Sequence, residues 1–319
     1  MKTDNPNITA RVIADSLNRS GNRLTSLVIT IPRIVLAEFN THRAISRNSA
    51  SSRAIPFKKM LDQVYNNPFI PTRFQQEHTG MQGTKYYVGE TEGAIQSEWL
   101  AARDSAMLQA KALNELGVTK QLCNRLLEPF LYHTIIATAT EWENFIALRA
   151  HDMAEIHIQD AAYKVLDALN NSTPKMLEPS EWHIPFGDNI DDDKLLSKEK
   201  YGWQKQINFD DENSHWSIEG GEEAYYKELG ARRIKVAVAR CARVSYMNFE
   251  GKDDYMSDIK LHDILKASGH MSPFEHVAQA LAYDKQSGNF IGFEQYRKTI
   301  EGENKTEERI VRYGYGKND

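Results

Sequence analysis

Thr41-His-Arg-Ala-Ile-Ser-Arg-Asn-Ser-Ala-Ser-Ser-Arg53 sets His42, three arginines (Arg43, Arg47, Arg53), four serines and Asn48 within thirteen residues, without one acid. Lys58 and Lys59 bring the local charge to +5 between Thr41 and Met60, in a chain whose formal net charge is −5. Forked guanidinium groups beside hydroxyls and loop N–H groups suit a multiply charged anion, above all a phosphate. The competing reading is a solvated basic loop. The interleaved serines favour the cradle, because a lysine run lacks the hydroxyl donors that complete one.

A second dense cluster is Gly269-His-Met-Ser-Pro-Phe-Glu-His276. His270, Glu275 and His276 lack the i, i+4 spacing of a zinc helix and no cysteine is near in sequence, so a metal site is disfavoured. Two readings stand: Ser272 caps the turn and Glu275 pairs with a surface cation, or the segment cradles a ligand with His270 turned toward the chemistry. Arg125 and Arg149 lie twenty-four residues apart, and antiparallel helices would aim both forks at one pocket. Singly, each reads as a solvated or salt-bridged surface group. No Walker loop, Gly-x-Gly-x-x-Gly or Gly-x-Ser-x-Gly is present, which removes the common nucleotide and hydrolase signatures.

The elements that must position these groups are legible in part. Residues 8–16 alternate as a strand, and Leu24–Ile31 is a stronger one, β-branched at Val28, Ile29, Thr30 and Ile31. Pro32 ends it and opens a helix from Arg33 to about Asn40, with Ile34, Val35 and Phe39 on one side. Residues 66–96 are an ordered Pro- and Gly-rich excursion. Helices are expected over Thr91–Leu116, stopped at Gly117, then over Lys120–Ile136 and Glu141–Leu169. Residues 170–222 read as a loop-rich surface insertion, Lys227–Ser245 as a helix, and Leu261–Ser268 as a short helix capped by Gly269. Val277–Tyr283 reads as a strand, Lys285–Gly288 as a turn and Phe290–Ile300 as a helix, an echo of the strand-turn-helix plan of residues 24–43; the last twenty residues are expected to fray.

Composition bounds the class. With 319 residues, 41% hydrophobic and 26% charged, the chain has ordinary globular proportions, as one large domain with insertions or as two. No apolar run approaches the roughly twenty residues of a membrane span. The N-terminal Met1-Lys-Thr-Asp-Asn-Pro-Asn carries no apolar signal region, and Cys123 and Cys241 read as reduced core thiols, so a cytoplasmic location is expected. The acidic balance argues against a general nucleic-acid binder, though not against a local phosphate site.

The stretch from Thr41 to Arg53 resembles the signature of flavin-dependent thymidylate synthases (ThyX): Arg-His-Arg, two residues, Ser, one residue, Asn-Glu, one residue, Ser, one residue, Arg. His42, Arg43, Ser46, Asn48, Ser51 and Arg53 match in register. Ala239-Arg-Cys-Ala-Arg-Val-Ser245 with residues 269–276 is similar to that family's Ala-Ala-Arg-Val-Ser and Gly-His-x-Thr-Pro-Phe-Glu-His. Arg125-Leu-Leu-Glu-Pro with Asn144-Phe-Ile-Ala-Leu-Arg149 is similar to its Arg-x-x-Leu-Pro and Asn-Phe-x-x-Leu-Arg. In the family the Gly-His segment precedes the signature; here it follows, as a relocated or permuted segment would.

The resemblance implies an α+β fold, an antiparallel sheet packed with a long helical region, as one domain over 1–319 with insertions at about 60–95 and 170–225. It implies a homotetramer that uses FAD, NADPH and methylenetetrahydrofolate to methylate C5 of dUMP, a deoxypyrimidine monophosphate, without a cysteine nucleophile. Ser51, Arg53, Arg125 and Arg149 would hold the nucleotide, with Arg53, Arg149 and His270 at the chemistry. His42, Arg43, Ser46, Asn48, Asn144, Ser245, His270, Ser272 and Glu275 would line the flavin site. The departures are Thr41 for an arginine, Ser49 for the glutamate, Glu38 for a glutamine, and Thr138 and Thr140 for an Asn and an Arg expected at the flavin. Gln295 and Arg297 are the expected replacements for the missing glutamine and arginine. Glu38 would accept from an amino group, so dCMP, hydroxymethyl transfer, or a non-catalytic nucleotide-binding descendant stand as alternatives.

Overall fold

β1 (Thr9–Leu17) and β2 (Arg23–Pro32) pair antiparallel across a turn at Gly21, whose φ of 88° suits glycine. The computed structural model describes residues 5–80, 83–198, 204–207, 214–217, 222–246 and 254–303. Pro32 ends β2, and a 3-10 turn at Arg33–Val35 runs into α1 (Leu36–Asn40), which delivers the basic loop and its strand β3 (Ser46–Ser49). α2 (Phe57–Asn66) and α3 (Glu90–Glu115) flank the Pro- and Gly-rich excursion, and Gly117 at φ 84° stops α3. Next come α4 (Lys120–Cys123), a 3-10 stretch at Asn124–Phe130, β4 (Tyr132–Ala139), α5 (Glu143–Arg149) and α6 (Ile156–Asn170). Residues 170–222 carry short pieces: β5 (Lys175–Met176), β6 (Trp182–His183), α7 (Asp192–Leu195), β7 (Gln204–Ile207) and β8 (Ser214–Ser217). α8 (Glu222–Arg243) and α9 (Tyr255–Ala267) follow, then a 3-10 turn at Ser272–Glu275. The described chain closes with β9 (Ala278–Ala280), β10 (Gln286–Ser287), β11 (Phe290–Ile291), β12 (Phe293–Gln295) and a 3-10 turn at Tyr296–Thr299.

A five-stranded sheet in the order β3-β4-β2-β1-β5 positions the basic loop; its pairs are antiparallel except β1 with β5. Both faces are covered, so β2 is buried along nearly its whole length, at Thr25 and Ser26 as well as at its aliphatic residues. On one face Leu27, Ile29, Ile31, Ile135 and Ala137 pack on Phe39, Phe145, Ile158 and Val165, so α1, α5 and α6 share a core. On the other, Val28 and Ile136 meet Ile13, Phe186, Cys241 and Val244 at the end of α8. Burying each such aliphatic side chain contributes roughly 1.5–3 kcal/mol. A three-stranded sheet, β12-β9-β6, lies with the second face, through Leu24, Leu177, Phe290 and Phe293.

Several expectations are corrected. Lys120–Ile136 is not one helix: Pro129 ends the helical turns and the β-branched run at Thr134–Ile136 joins the sheet as β4. Arg125 and Arg149 therefore do not sit on successive antiparallel helices, since β4 runs between them. Glu141–Leu169 breaks at residues 150–155, where the Glu155 carboxylate accepts from the N–H groups of His157 and Ile158 and starts α6 afresh. Phe290–Ile300 is two short strands, β11 paired with β10 and β12 with β9, and a 3-10 turn rather than a helix, with Gly292 at φ 71°, so the strand-turn-helix echo fails. The irregular excursion ends at residue 89, α9 begins at Tyr255 behind an Asp254 cap, and the strand expected over Val277–Tyr283 shortens to β9. Ile34 is exposed, apart from Val35 and Phe39. Cys123 and Cys241 are free, buried and helical, as expected. The expected frayed tail, from residue 304 on, lies outside the described residues.

Candidate functional site

Arg149, the last residue of α5, is aimed into the start of the basic loop. Its Nε donates to His42 Nε2 at 3.0 Å and its Nη2 to Thr41 Oγ1 at 3.2 Å. Thr41 Oγ1 in turn donates to the Glu38 carbonyl at 2.7 Å. The residue that stands where an arginine was expected is thus the acceptor that holds another arginine in place. His42 is buried edge-on against Phe145, with ring centroids 5.0 Å apart. Burial first, and the Arg149 charge second, hold its pKa below the ordinary value, against the hydrogen bond that the ring N–H donates to the Asn144 side chain. His42 is therefore neutral at pH 7, with Nε2 accepting.

Not every cation of the cluster faces outward. Arg47 donates to the carbonyls of Asn40 at 3.1 Å, Ile45 at 3.0 Å and His42 at 3.4 Å, so it stitches the loop that carries the others. Arg43 and Arg53 are exposed. Arg125 is exposed beside a cavity of about 490 Å³ that Arg33, Asn40 and Glu128 also line. Glu38 buries a carboxylate oxygen, Oε2, that has no hydrogen-bond partner among the described residues.

The C-terminal cluster comes to the same loop. Asn48 donates to the Cys241 carbonyl at 3.1 Å and accepts from Ser272 Oγ at 2.9 Å. Ser245 Oγ donates to the Ser49 carbonyl at 3.4 Å, and its own carbonyl accepts from the Ser51 N–H at 3.2 Å. Ser46 is 2% exposed and accepts from Gln295 Nε2 at 3.1 Å and Asn289 Nδ2 at 3.2 Å. Glu275 pairs with Arg297 at 2.6 Å, and Arg297 also meets Glu303. Gln295, 2% exposed, is a support beneath β3 rather than a surface contact. His270 is exposed, its Nδ1 2.8 Å from Ser268 Oγ.

This donor set divides by exposure. Ser46, Asn48 and Ser245 are engaged with protein groups and would shape the site from behind, and Thr138 is wholly buried in the sheet. The exposed rim of Arg43, Arg53, His270 and Ser272 offers cations and donors that fit the phosphates of a nucleotide or a dinucleotide cofactor. Sequence reasoning missed Asn289, which lies between the stretches read as a turn and a helix, and His183, which lies in the stretch read as an insertion. It named His276 only as a possible ligand, whereas the ring is fully buried against Thr138. Among the described residues, no group of three or more His, Cys, Asp and Glu could hold a metal ion, and no helix is long and apolar enough to cross a membrane.

Residues 23–175 match the family model described as thymidylate synthase complementing protein. They span the signature, Arg125, Asn144 and Arg149, and stop short of the C-terminal cluster that packs on them. No curated protein matches the chain.

Proposed function

We propose, from the match of residues 23–175 to the thymidylate synthase complementing protein family, a flavin-dependent thymidylate synthase that methylates dUMP to dTMP. The observation that carries the reading is the convergence of segments some two hundred residues apart: Asn48, Ser49 and Ser51 of the signature are bonded to Cys241, Ser245 and Ser272. Three stretches chosen by resemblance form one neighbourhood although the chain order differs.

In this reading Arg149, oriented by His42 and Thr41, and the exposed Arg53 hold the nucleotide and stabilise charge on the pyrimidine. Ser51 and Arg125 complete the anion site. Arg43, His270 and Ser272 hold FAD at the rim, while Ser46, Asn48, Asn144, Ser245 and Glu275 support it. Bound FAD supplies hydride exchange, with NADPH as reductant and methylenetetrahydrofolate as one-carbon donor. A homotetramer with sites between subunits accompanies the family reading, as does a cytoplasmic location.

A second reading keeps the site and changes the base. The buried Oε2 of Glu38, unpartnered among the described residues, needs a donor, and the amino group of cytosine is one where uracil has a carbonyl. An absorbance spectrum of the protein with FAD, titrated with dUMP and dCMP, tests both. A bound-flavin band perturbed by dUMP supports the first, one perturbed by dCMP alone supports the second, and nucleotide binding without flavin overturns both.

A further inference from the structure

A row of buried polar side chains crosses the five-stranded sheet. Ser16 Oγ lies 2.8 Å from His183 Nδ1, and His183 Nε2 lies 2.8 Å from Ser26 Oγ. Ser26 Oγ lies 2.6 Å from Thr138 Oγ1, which lies 2.9 Å from His276 Nδ1. Ser16 is 5% exposed and the other four are 0% exposed. Strand register builds the row: Ser26 and Thr138 oppose each other on β2 and β4, β6 supplies His183, and the turn before β9 supplies His276. One end meets a cavity of about 710 Å³, which Ser16 lines with Arg11, Asp15, Lys175, Trp182 and Arg233. The other end is His276 Nε2, a buried ring nitrogen with no hydrogen-bond partner among the described residues, next in sequence to Glu275 and its ion pair with Arg297.

We propose that Ser16, His183, Ser26, Thr138 and His276 conduct protons between the cavity at β1 and the buried side of the candidate site. The row rests on these hydrogen bonds and stands whether or not the flavin reading does. Burial pushes both imidazoles down to about 3, so each carries one N–H and one lone pair, and each hydroxyl both donates and accepts. The row can therefore be polarised in either direction. With all donors turned toward His276, Ser16 donates to His183 Nδ1, His183 Nε2–H to Ser26, Ser26 to Thr138, and Thr138 to His276 Nδ1, which leaves His276 Nε2–H at the far end. Removal of that proton by a base moves each proton one position along, and water in the cavity replaces the one that Ser16 gives up. No charge remains on the row. Its polarity is now reversed, and it is set to carry a proton back to the cavity.

A row that only ties strands together would keep its protons, and this separates the two roles. Full-length protein labelled with ¹⁵N-histidine reports the imidazole N–H protons by NMR. Conduction expects the His276 N–H to exchange with water at least about tenfold faster than the backbone amides of Ile135 and Ala137, which lie in equally buried side-chain surroundings on β4. Thr138→Val removes the link and keeps the shape, so exchange at His276 slows by about tenfold or more while exchange at His183 stays fast. Ser26→Ala gives the same pattern, and serves if the valine variant fails to fold. Exchange at His276 as slow as those amides in the native chain, or unchanged in the folded variants, overturns the proposal.

Discussion

Arg149 shows how a residue's role depends on what points it. Two of its nitrogens are fixed by His42 and Thr41, which leaves the guanidinium half-exposed and oriented, with no ion pair among the described residues to spend its charge. Arg149→Ala is expected to weaken dUMP or dCMP binding roughly 10- to 100-fold, the worth of charge-assisted hydrogen bonds to a phosphate or ring oxygen. Isothermal titration measures it, and unchanged affinity would remove Arg149 from the site. Three other imidazoles act on stability. His133, His183 and His276 are buried and pushed down to about 3, against an ordinary 6.5. Between those values the unfolded chain binds protons that the native state does not. Their linkage term thus favours folding fully above pH 6.5 and is lost as the pH falls toward 3, by about 1.4 kcal/mol per pH unit for each imidazole. Urea midpoints at pH 7 and pH 5 check the direction, and His276→Gln is expected to flatten the slope.

At the scale of elements, the β10–β11 hairpin and the strand β12 that follows it work as a support. Gly288 sits at φ 59°, and a Cβ there would collide with the Gln295 carboxamide, whose Nε2 donates to Ser46 on β3. Gly288→Ala thus combines a left-handed backbone with a displaced buried amide. A loss of roughly 1–3 kcal/mol is expected, visible as a lower urea midpoint. If Gln295 supports β3, nucleotide affinity falls in the same variant although residue 288 touches no ligand. A destabilised protein with native affinity would separate the hairpin from the site.

Charge distribution belongs to the whole molecule. A chain of net charge −5 binds a phosphate against its own field unless the local cations dominate, and Arg43, Arg53, Arg125, Lys58 and Lys59 are all exposed. Salt screens such exposed charges strongly, with a Debye length of about 10 Å at 0.1 M. Affinity for dUMP or dCMP is therefore expected to drop several-fold between 50 and 300 mM salt, a range over which the Debye length falls from roughly 14 to 6 Å, while affinity for the uncharged nucleosides barely moves. Equal salt slopes for nucleotide and nucleoside would mean that the basic loop does not hold the phosphate.

The sequence by itself determined the elements whose pattern is local. Alternation and β-branching mark β1 and β2, Pro32 and Gly117 mark a start and a stop, and the spacing from His42 to Arg53 identifies the family that residues 23–175 match. It misassigned β4 because Leu126–Ala139 is apolar without a readable period, and a strand buried on both faces looks like a buried helix until its partners are known. It misread residues 290–300 because two- and three-residue strands owe their form to the strands they pair with, β10 and β9. Only tertiary structure decided which charges are free. Arg47 and Arg53 are alike in sequence, yet one is spent on three carbonyls and the other is exposed. Tertiary structure alone also brought Cys241, Ser272 and Gln295 to β3, and lined five polar side chains across the sheet. Hydrogen bonds between residues some two hundred positions apart are set by strand register and burial, which no local window of sequence contains.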